Sequence, residues 1–412
     1  MNYEDCPAYP YQKSFRLERV SNFLDSIGNP QDRLQSIHVA GSKGKGSTCV
    51  FLTYILREGG YRVGLYTSPH LADPRERIRI LKPAGGRRQL TADFEGMISR
   101  KELADLVTRL KPEIDKYNKI SQHGQLTFFE IFSTLAFQYF LDKKVDFAVL
   151  ETGLGGRLDA TNVVVPLVSV ITPISYEHTQ KLGKTLGRIA GEKAGIIKPG
   201  ASLVCAPQEK EALDVIRKRC KEKKSRFYLI SRIPSGVSRV NLSLIGEHQK
   251  INAAVSVAAV GVLRGRGFKI SPLAINKGLS RARWPGRCEA ISKKPLVVLD
   301  GAQNAASARV LKKAIRDNFK YSKLTLVLGI SSDKDIKGIC RELKGLADRV
   351  ILTRAATPRA ASVDRLAVYF KGQNTFKSDS VKQAMELAKR ISRKEDLILV
   401  TGSLFVVGEA RC

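Results

Sequence analysis

Long apolar runs are missing from this chain of 412 residues. None approaches the ~18 residues that a helix needs to cross a bilayer, so no helical membrane span and no membrane partner are expected. The opening stretch, MNYEDCPAYPYQKSF, lacks the apolar core of a secretion signal, and the expected compartment is the cytoplasm. Paired cysteines are missing as well. Cys6, Cys49, Cys205, Cys220, Cys288, Cys340 and Cys412 stand singly, none in C-x-x-C, and their number is odd. That argues for thiols in reducing surroundings and against a disulfide framework or a zinc site. Repeats and low-complexity stretches are absent too. With 43% hydrophobic and 26% charged residues, wholesale disorder and collagen are excluded. The length suits two or three domains.

Acidic residues are scarce beside basic ones: 39 against 70, a net charge of +31. The excess is spread out, since residues 286–412 hold 25 basic and 13 acidic side chains. A diffuse excess implies attraction to polyanions in general, including nucleotides and acidic substrates. No compact basic-aromatic recognition motif accompanies it, so nucleic acid is not an expected partner.

Residues 14–28 read as an amphipathic helix ending at Gly28. Ser36–Ala40 reads as a short buried strand, followed by GSKGKGS at 41–47 and an apolar helix over 48–58. Another strand covers Arg62–Tyr66. The stretch 75–92 is basic, with glycines at 85–86, and is expected to be an exposed loop or hairpin. FFEIFSTLAFQYFL (128–141) is apolar nearly all round and should form a buried helix. It precedes VDFAVLE (145–151), an unbroken apolar run typical of a parallel strand, and SVIT (169–172) resembles it. RARWPGR (281–287) interrupts the pattern. A fresh series follows, with strands at 296–300, 324–329, 349–353 and 396–402 and helices over 304–317 and 335–346. Strands alternating with helices predict a doubly wound α/β fold, with a second, smaller unit beginning near 285–292.

Strand, glycine-rich turn, helix is the layout of a phosphate cradle, in which backbone N–H groups and a lysine face the anion. Gly41, Gly44 and Gly46 allow close backbone approach, Lys45 would reach the β- and γ-phosphates, and Ser47 or Thr48 would help hold Mg2+. The strict G-x-x-x-x-G-K-[ST] spacing is not met, because Gly46 separates Lys45 from Ser47. Ligands of open α/β sheets gather at strand carboxyl ends. Ser68, Glu151 and His178 are expected there. Two hard oxygens and an imidazole suit Mg2+ with retained waters and phosphates. Glu151 could instead cap a helix, and His178 could be a hydrogen-bonded structural residue. Lys193, 15 residues after His178, has no obvious task beside metal and phosphate, and solvent exposure is an open reading for it.

The motifs HVAGSKGKGST, GLYTSPHLADPRERIRI, LTFFEIFSTLAF, VLETGLGGRLDATNVV, SVITPISYEHTQKLG, IAGEKAGIIKPG, GEHQKINAA, RWPGR, VLDGAQN and LVTGSLFVVGEAR occur in this order from residue 38 to 411. They resemble the folylpolyglutamate synthase/dihydrofolate synthase family of the Mur ligase superfamily. The resemblance implies a P-loop-type ATPase domain with a mostly parallel sheet (1–285), followed by a smaller Rossmann-like α/β domain (286–412). It implies an ATP-dependent ligase that adds L-glutamate to dihydropteroate, to a folate, or to both, through an acyl phosphate. The expected state is a monomer.

Carried over residue by residue, Gly41, Ser42, Lys43, Gly44, Lys45, Gly46 and Ser47 match the ATP phosphate site. Ser68, Glu151 and His178 match the Mg2+ ligands, for one or two ions. Lys193 matches a lysine carried as an N-carboxylated side chain, which turns a cation into a metal-bridging anion. Lys45, Lys193 and His178 are thus the expected catalytic set. Asn252, Arg287, Asp300 and Gln303 match nucleotide contacts, and Thr127, Phe128, Phe129, Glu130, Gly155, Gly156 and Arg157 match the lining of the pterin-type acceptor pocket.

The sequence departs from the family pattern at Lys43, where Asn is usual, at Gln303, where His is usual, and at Ala305, where Pro is common. Gln can donate to phosphate but cannot ionise near neutrality. These departures leave room for a non-folate carboxylate acceptor or a catalytically impaired paralogue. The basic surface favours an acceptor already carrying a γ-glutamate tail.

Overall fold

The computed structural model describes residues 16–84 and 94–411. The chain divides into two compact units. The first takes in residues up to Pro69, Arg75–Ser243 and His248–Ala282; the second takes in His70–Pro74, Leu244–Glu247 and Arg283 onward.

The first unit is built on strands β1 (Ser36–Ala40), β2 (Val63–Tyr66), β3 (Ile78–Leu81), β4 (Phe147–Glu151), β5 (Val168–Ile171), β6 (Ser202–Cys205) and β7 (Arg226–Leu229). Their order in the sheet is β3-β2-β4-β1-β5-β6-β7. All neighbours are parallel except β2 and β3. Every residue of β1, β2, β4, β5 and β6 is buried, which explains their continuous apolar runs: helices cover both faces. On one face the helices Leu17–Ser26, Arg100–Ile120 and Phe128–Asp142 build a core around Phe23, Phe137, Phe140 and Leu150. Elsewhere Leu186–Ala194 and Lys210–Glu222 pack with Ile171 and Leu203. Helix Phe128–Asp142 is buried over most of its length, as its all-round apolarity predicts.

The stretch 75–92 departs from expectation where it is described. Pro74–Arg77 is a 3-10 turn, Ile78–Leu81 is β3, and Arg77 and Arg79 are buried. The guanidinium of Arg77 lies over the Phe128 ring, 5.3 Å from its centroid, and Arg79 Nε donates to the Glu95 carbonyl at 2.9 Å. Partners of this kind let a basic strand enter a core, and single-sequence patterning does not reveal them. The glycines at 85–86 and the rest of that stretch to 93 lie outside the described residues.

The second unit carries β8 (Glu289–Lys293), β9 (Leu296–Leu299), β10 (Leu324–Leu328), β11 (Arg349–Leu352), β12 (Asn374–Lys377) and β13 (Leu397–Thr401) in the order β12-β11-β10-β13-β9-β8. Only the β8–β9 pair is antiparallel. Its core joins Leu326, Val350 and Leu399 to Leu311, Ile339 and Leu343 of the flanking helices.

Gly278, on helix Pro272–Arg281, lies against helix Lys45–Glu58 so closely that an added Cβ would sit 2.5 Å from Ile55 backbone atoms. Gly278→Ala is therefore expected to destabilise the first unit by about 1–3 kcal/mol, read as a lower urea midpoint. Gly261→Ala, with open space around its added Cβ, is the control expected to hold or raise that midpoint. An unchanged midpoint for Gly278→Ala would contradict this packing.

Candidate active site

Between β1 and helix Lys45–Glu58 the chain turns through Gly41 and Gly44. Gly44 has φ +84°, where an L side chain is strained. A Cβ there would meet Asn252 Oδ1 at 2.2 Å, and one on Gly41 would meet Thr172 Oγ1 at 1.8 Å. The loop is pinned from the segment that follows β5, since Ser42 N and Lys43 N both donate to the Pro173 carbonyl (3.0 and 3.1 Å) and Ser42 Oγ donates to the Ser175 carbonyl (3.0 Å). Thr48 N donates to the Gly44 carbonyl at 2.9 Å. Gly46 and Ser47 fall in the first turn of the helix. Thr48 Oγ1 is buried without a hydrogen-bond partner, so its lone pairs are unused within the protein.

Two lysine ammoniums converge on one carbonyl. Lys45 Nζ donates to the Gly41 oxygen at 3.2 Å and Lys193 Nζ donates to the same oxygen at 2.8 Å. Lys193 is not solvent-exposed: it is 1% exposed and pairs with Glu177 Oε1 at 2.8 Å. Burial pulls its pKa down to about 8; Glu177 opposes that shift, while Lys45 and Lys43 add to it. Glu177 is itself desolvated, yet Lys193 and Lys45 hold its carboxyl below the ordinary value. No sequence reading singled out Glu177; its only signal is its place beside His178.

Glu151, the last residue of β4, is 4% exposed and accepts from the Ser68 backbone N–H at 3.2 Å. Its carboxylate is near enough to Cys49 to reinforce the upward push that burial gives that thiol. Ser68 and Glu151 are thus brought together beside the phosphate loop. His178 precedes the short helix Thr179–Leu182 with φ +47°, a strained backbone for a non-glycine residue, and its side chain is exposed. Among the described residues no group of three or more His, Cys, Asp or Glu side chains forms a metal cluster. Serine, one carboxylate and one imidazole nevertheless suit a divalent ion that keeps several waters.

Thr127 and Glu130 form the capping box of helix Phe128–Asp142. Glu130 also receives Arg19 Nε at 2.9 Å on both oxygens, with both side chains buried. Phe129 lies against Gly153, whose added Cβ would approach its ring to 2.6 Å. The phenyl ring of Phe128 stacks on Phe132 at 4.4 Å. Gly155 has φ +70°, and Gly156 packs on the Glu192 carbonyl. Arg157 pairs with Glu192 at 2.9 Å. The turn 153–157 is therefore docked on the helix that carries Lys193.

In the second unit Asp300 follows β9 and accepts from Cys288 N and Ala302 N at 2.9 Å each. Burial raises its pKa and Arg287 opposes the rise. Gln303 N donates to Ser307 Oγ at 3.2 Å, one residue before the Asn304 cap of helix Ala305–Asn318. The start of that helix is intact with Ala305, as a capping box satisfies its first turn. Sequence reasoning missed a cavity of about 380 Å³ at the carboxyl ends of β11 and β12, lined by Arg354, Thr357, Asp379, Ser380 and Glu409 among others. Glu409 Oε1 accepts from Ala356 N there at 2.7 Å.

A glycine loop with converging lysines, a strand-end carboxylate and a separate Rossmann-like unit define a phosphate-loop ligase of the Mur type. Residues 286–404 match the Mur ligase, glutamate ligase domain. The dihydrofolate synthase/folylpolyglutamate synthase of Bacillus subtilis is 34% identical over 418 residues, covering 96% of this chain and 94% of that one. A Mycobacterium tuberculosis folylpolyglutamate synthase complexed with ADP and AMPPCP superposes with TM-score 0.84 at 30% identity, over 97% of this chain and 96% of that one. The Escherichia coli FolC protein in complex with DHPP and ADP gives TM-score 0.80 at 29% identity, over 98% and 97%. The chain belongs to the folylpolyglutamate synthase/dihydrofolate synthase family.

The loop geometry makes one sharp demand. Gly44→Ala is expected to weaken ADP binding at least tenfold, because the new methyl must displace the Asn252 amide. Titration calorimetry checks it, and unchanged ADP affinity would remove the loop from the nucleotide site.

Proposed function

We propose that the first unit activates a folate-type carboxylate with ATP and that the second unit holds the incoming L-glutamate. The enzyme is an ATP-dependent ligase of glutamate and folate-type acids. The observation that carries the reading is the convergence of Lys45 and Lys193 on the Gly41 carbonyl at the mouth of the glycine loop. A free carboxylate is a poor electrophile. Its oxygen attacks the γ-phosphorus, the bond to the bridging oxygen breaks, and ADP leaves with that electron pair. The neutral amine of L-glutamate then adds to the acyl carbon, the C–O bond to phosphate breaks, and inorganic phosphate departs with that electron pair while the nitrogen loses one proton to solvent, leaving an amide. Lys45 offsets charge on the transferring phosphoryl group, where most phosphoryl-transfer catalysis arises. Ser68, Glu151 and His178 would hold Mg2+, which when bound neutralises phosphate oxygens. Lys43 adds a further cation to the loop. Asn252, Arg287, Asp300 and Gln303 are assigned to the nucleotide, and Thr127–Glu130 with Gly155–Arg157 to the acceptor pocket. A cytoplasmic monomer is the accompanying assignment; among the described residues five free, buried cysteines support the reducing compartment.

Supplying dihydropteroate, folates and unrelated acids with ATP, Mg2+ and glutamate, with mass detection of the product, tests the reading. Glutamate addition to a pteroyl acid is expected; phosphate release only with a non-folate acid would overturn it.

Lys193 is the proposed carbamate. Its pKa of about 8 leaves far more free amine at neutral pH than an ordinary lysine has. The free amine forms the N–C bond to CO2 and loses a proton. Protonation as pH falls below 8 opposes this. Removing CO2 is therefore expected to lower activity more at pH 6.5 than at pH 8, with bicarbonate restoring it. Turnover indifferent to CO2 at both values would contradict the modification.

The cavity beside β11 and β12 fits L-glutamate in chemistry: Arg354 for a carboxylate, Asp379 and Glu409 for the ammonium. Losing a charge-assisted hydrogen bond costs roughly 1.5–3 kcal/mol. Arg354→Ala should accordingly raise KM for glutamate about ten- to hundredfold and leave KM for ATP unchanged. An unaltered glutamate KM would place the amino acid elsewhere.

A further inference from the structure

A buried line of hydrogen bonds joins β1 to the glycine-rich turn after β4. Asp159 is 3% exposed, and its Oδ2 accepts from Gly153 N (2.8 Å) and Leu154 N (2.9 Å). Its Oδ1 accepts from Thr161 N (3.0 Å) and Thr161 Oγ1 (2.5 Å). Thr161 Oγ1 lies 2.8 Å from His38 Nε2 on β1. Burial raises the Asp159 pKa, and its bonds from Gly153, Leu154 and Thr161 oppose that rise by favouring the carboxylate. A hydroxyl has one proton, and Thr161 donates it to that carboxylate. The His38 ring must then carry its proton on Nε2 and donate to Thr161. Burial, with a smaller push from Lys198, lowers the His38 pKa to about 3, so the ring stays neutral and carries a single proton. Nδ1 is buried with no partner, which leaves Nε2 as the ring's sole anchor.

The two ends of this line matter for chemistry. His38 sits two residues before Ala40, the end of the strand that delivers the phosphate loop. Gly153 and Leu154 follow directly on Glu151 and Thr152 at the end of β4. β1 and β4 are paired side by side, with Val39 opposite Glu151, but sheet pairing stops where the loop and the turn begin. Beyond that point, Asp159 sets the conformation of the turn, and Thr161 and His38 tie Asp159 back to β1.

We propose that His38 and Thr161 are positioning residues that hold the glycine-rich turn, and with it the acceptor, in register with the phosphate loop. The idea rests on the assignment of turn 153–157 to the acceptor. Neither side chain takes part in proton transfer. Their contribution is geometric, and misplacing a reactant by about 1 Å costs about a hundredfold in rate.

Thr161→Val keeps shape and removes the hydroxyl; Thr161→Ser keeps the hydroxyl. With active sites counted by ADP titration, Thr161→Val is expected to lower kcat/KM for the acceptor about ten- to hundredfold while ADP affinity holds within about twofold. Thr161→Ser should recover most of the loss. A role in folding alone would lower Tm and the count of active sites and leave kinetic constants per site unchanged, which would overturn the proposal. So would equal losses in ADP and acceptor terms. If the wild-type enzyme ligates no pteroyl acid, the functional reading fails separately. Amide exchange then decides: faster exchange across 153–157 in Thr161→Val than in wild type supports the positioning role, and identical exchange refutes it.

Discussion

The first unit depends on a backbone that leaves no room for a side chain at Gly41 and Gly44. Thr172, just after β5, and Asn252 from helix Glu247–Gly265 press on the loop at distances a Cβ could not tolerate. That pressure, with the Pro173 carbonyl receiving two loop N–H groups, fixes the path of the chain. Once the path is fixed, the Gly41 carbonyl faces Lys45 from its own helix and Lys193 from another. The lysines are held by the loop, and the loop by its neighbours.

Electrostatics follows from that geometry. Lys43, Lys45 and Lys193 crowd a partly desolvated region in which Glu177 is their acidic counterpart. Like charges and burial push Lys193 toward its neutral form, and the same cations keep Glu177 ionised. Lys43 and Lys45 favour a polyanionic ligand, whose charge relieves their mutual repulsion whether Lys193 is an amine or a carbamate. The cavity of the second unit is different in character, with one guanidinium and two carboxylates around a space suited to a small zwitterion. The two surfaces therefore differ in charge: the loop is cationic, and the cavity carries both signs.

Most of the fold was legible because burial on both sheet faces writes itself as unbroken apolar runs; β1, β4 and β10 are examples. β3 was not legible, since Arg77 and Arg79 read as surface residues until Phe128 and the Glu95 carbonyl are seen beside them. Within the site, the strand–glycine–helix grammar exposed the loop, and Glu151 stood out as a carboxylate ending an apolar strand. Burial of Lys193 could not be read, because it depends on Gly41 and Glu177, distant in sequence or unmarked. His38 was hidden for the same reason: nothing local links it to Thr161, 123 residues away. Thr127 and Glu130 carry a legible capping-box spacing, and the capping box is the structural work the fold shows for them.

One chemical event is central to the proposed reaction, the phosphorylation of a carboxylate by ATP. Acceptor labelled with oxygen-18 in its reacting carboxylate tests it most directly. After a full turnover with unlabelled ATP and L-glutamate, mass spectrometry of the released phosphate is predicted to find one labelled oxygen per phosphate, carried over from the acceptor. Unlabelled phosphate alongside amide product would contradict the account.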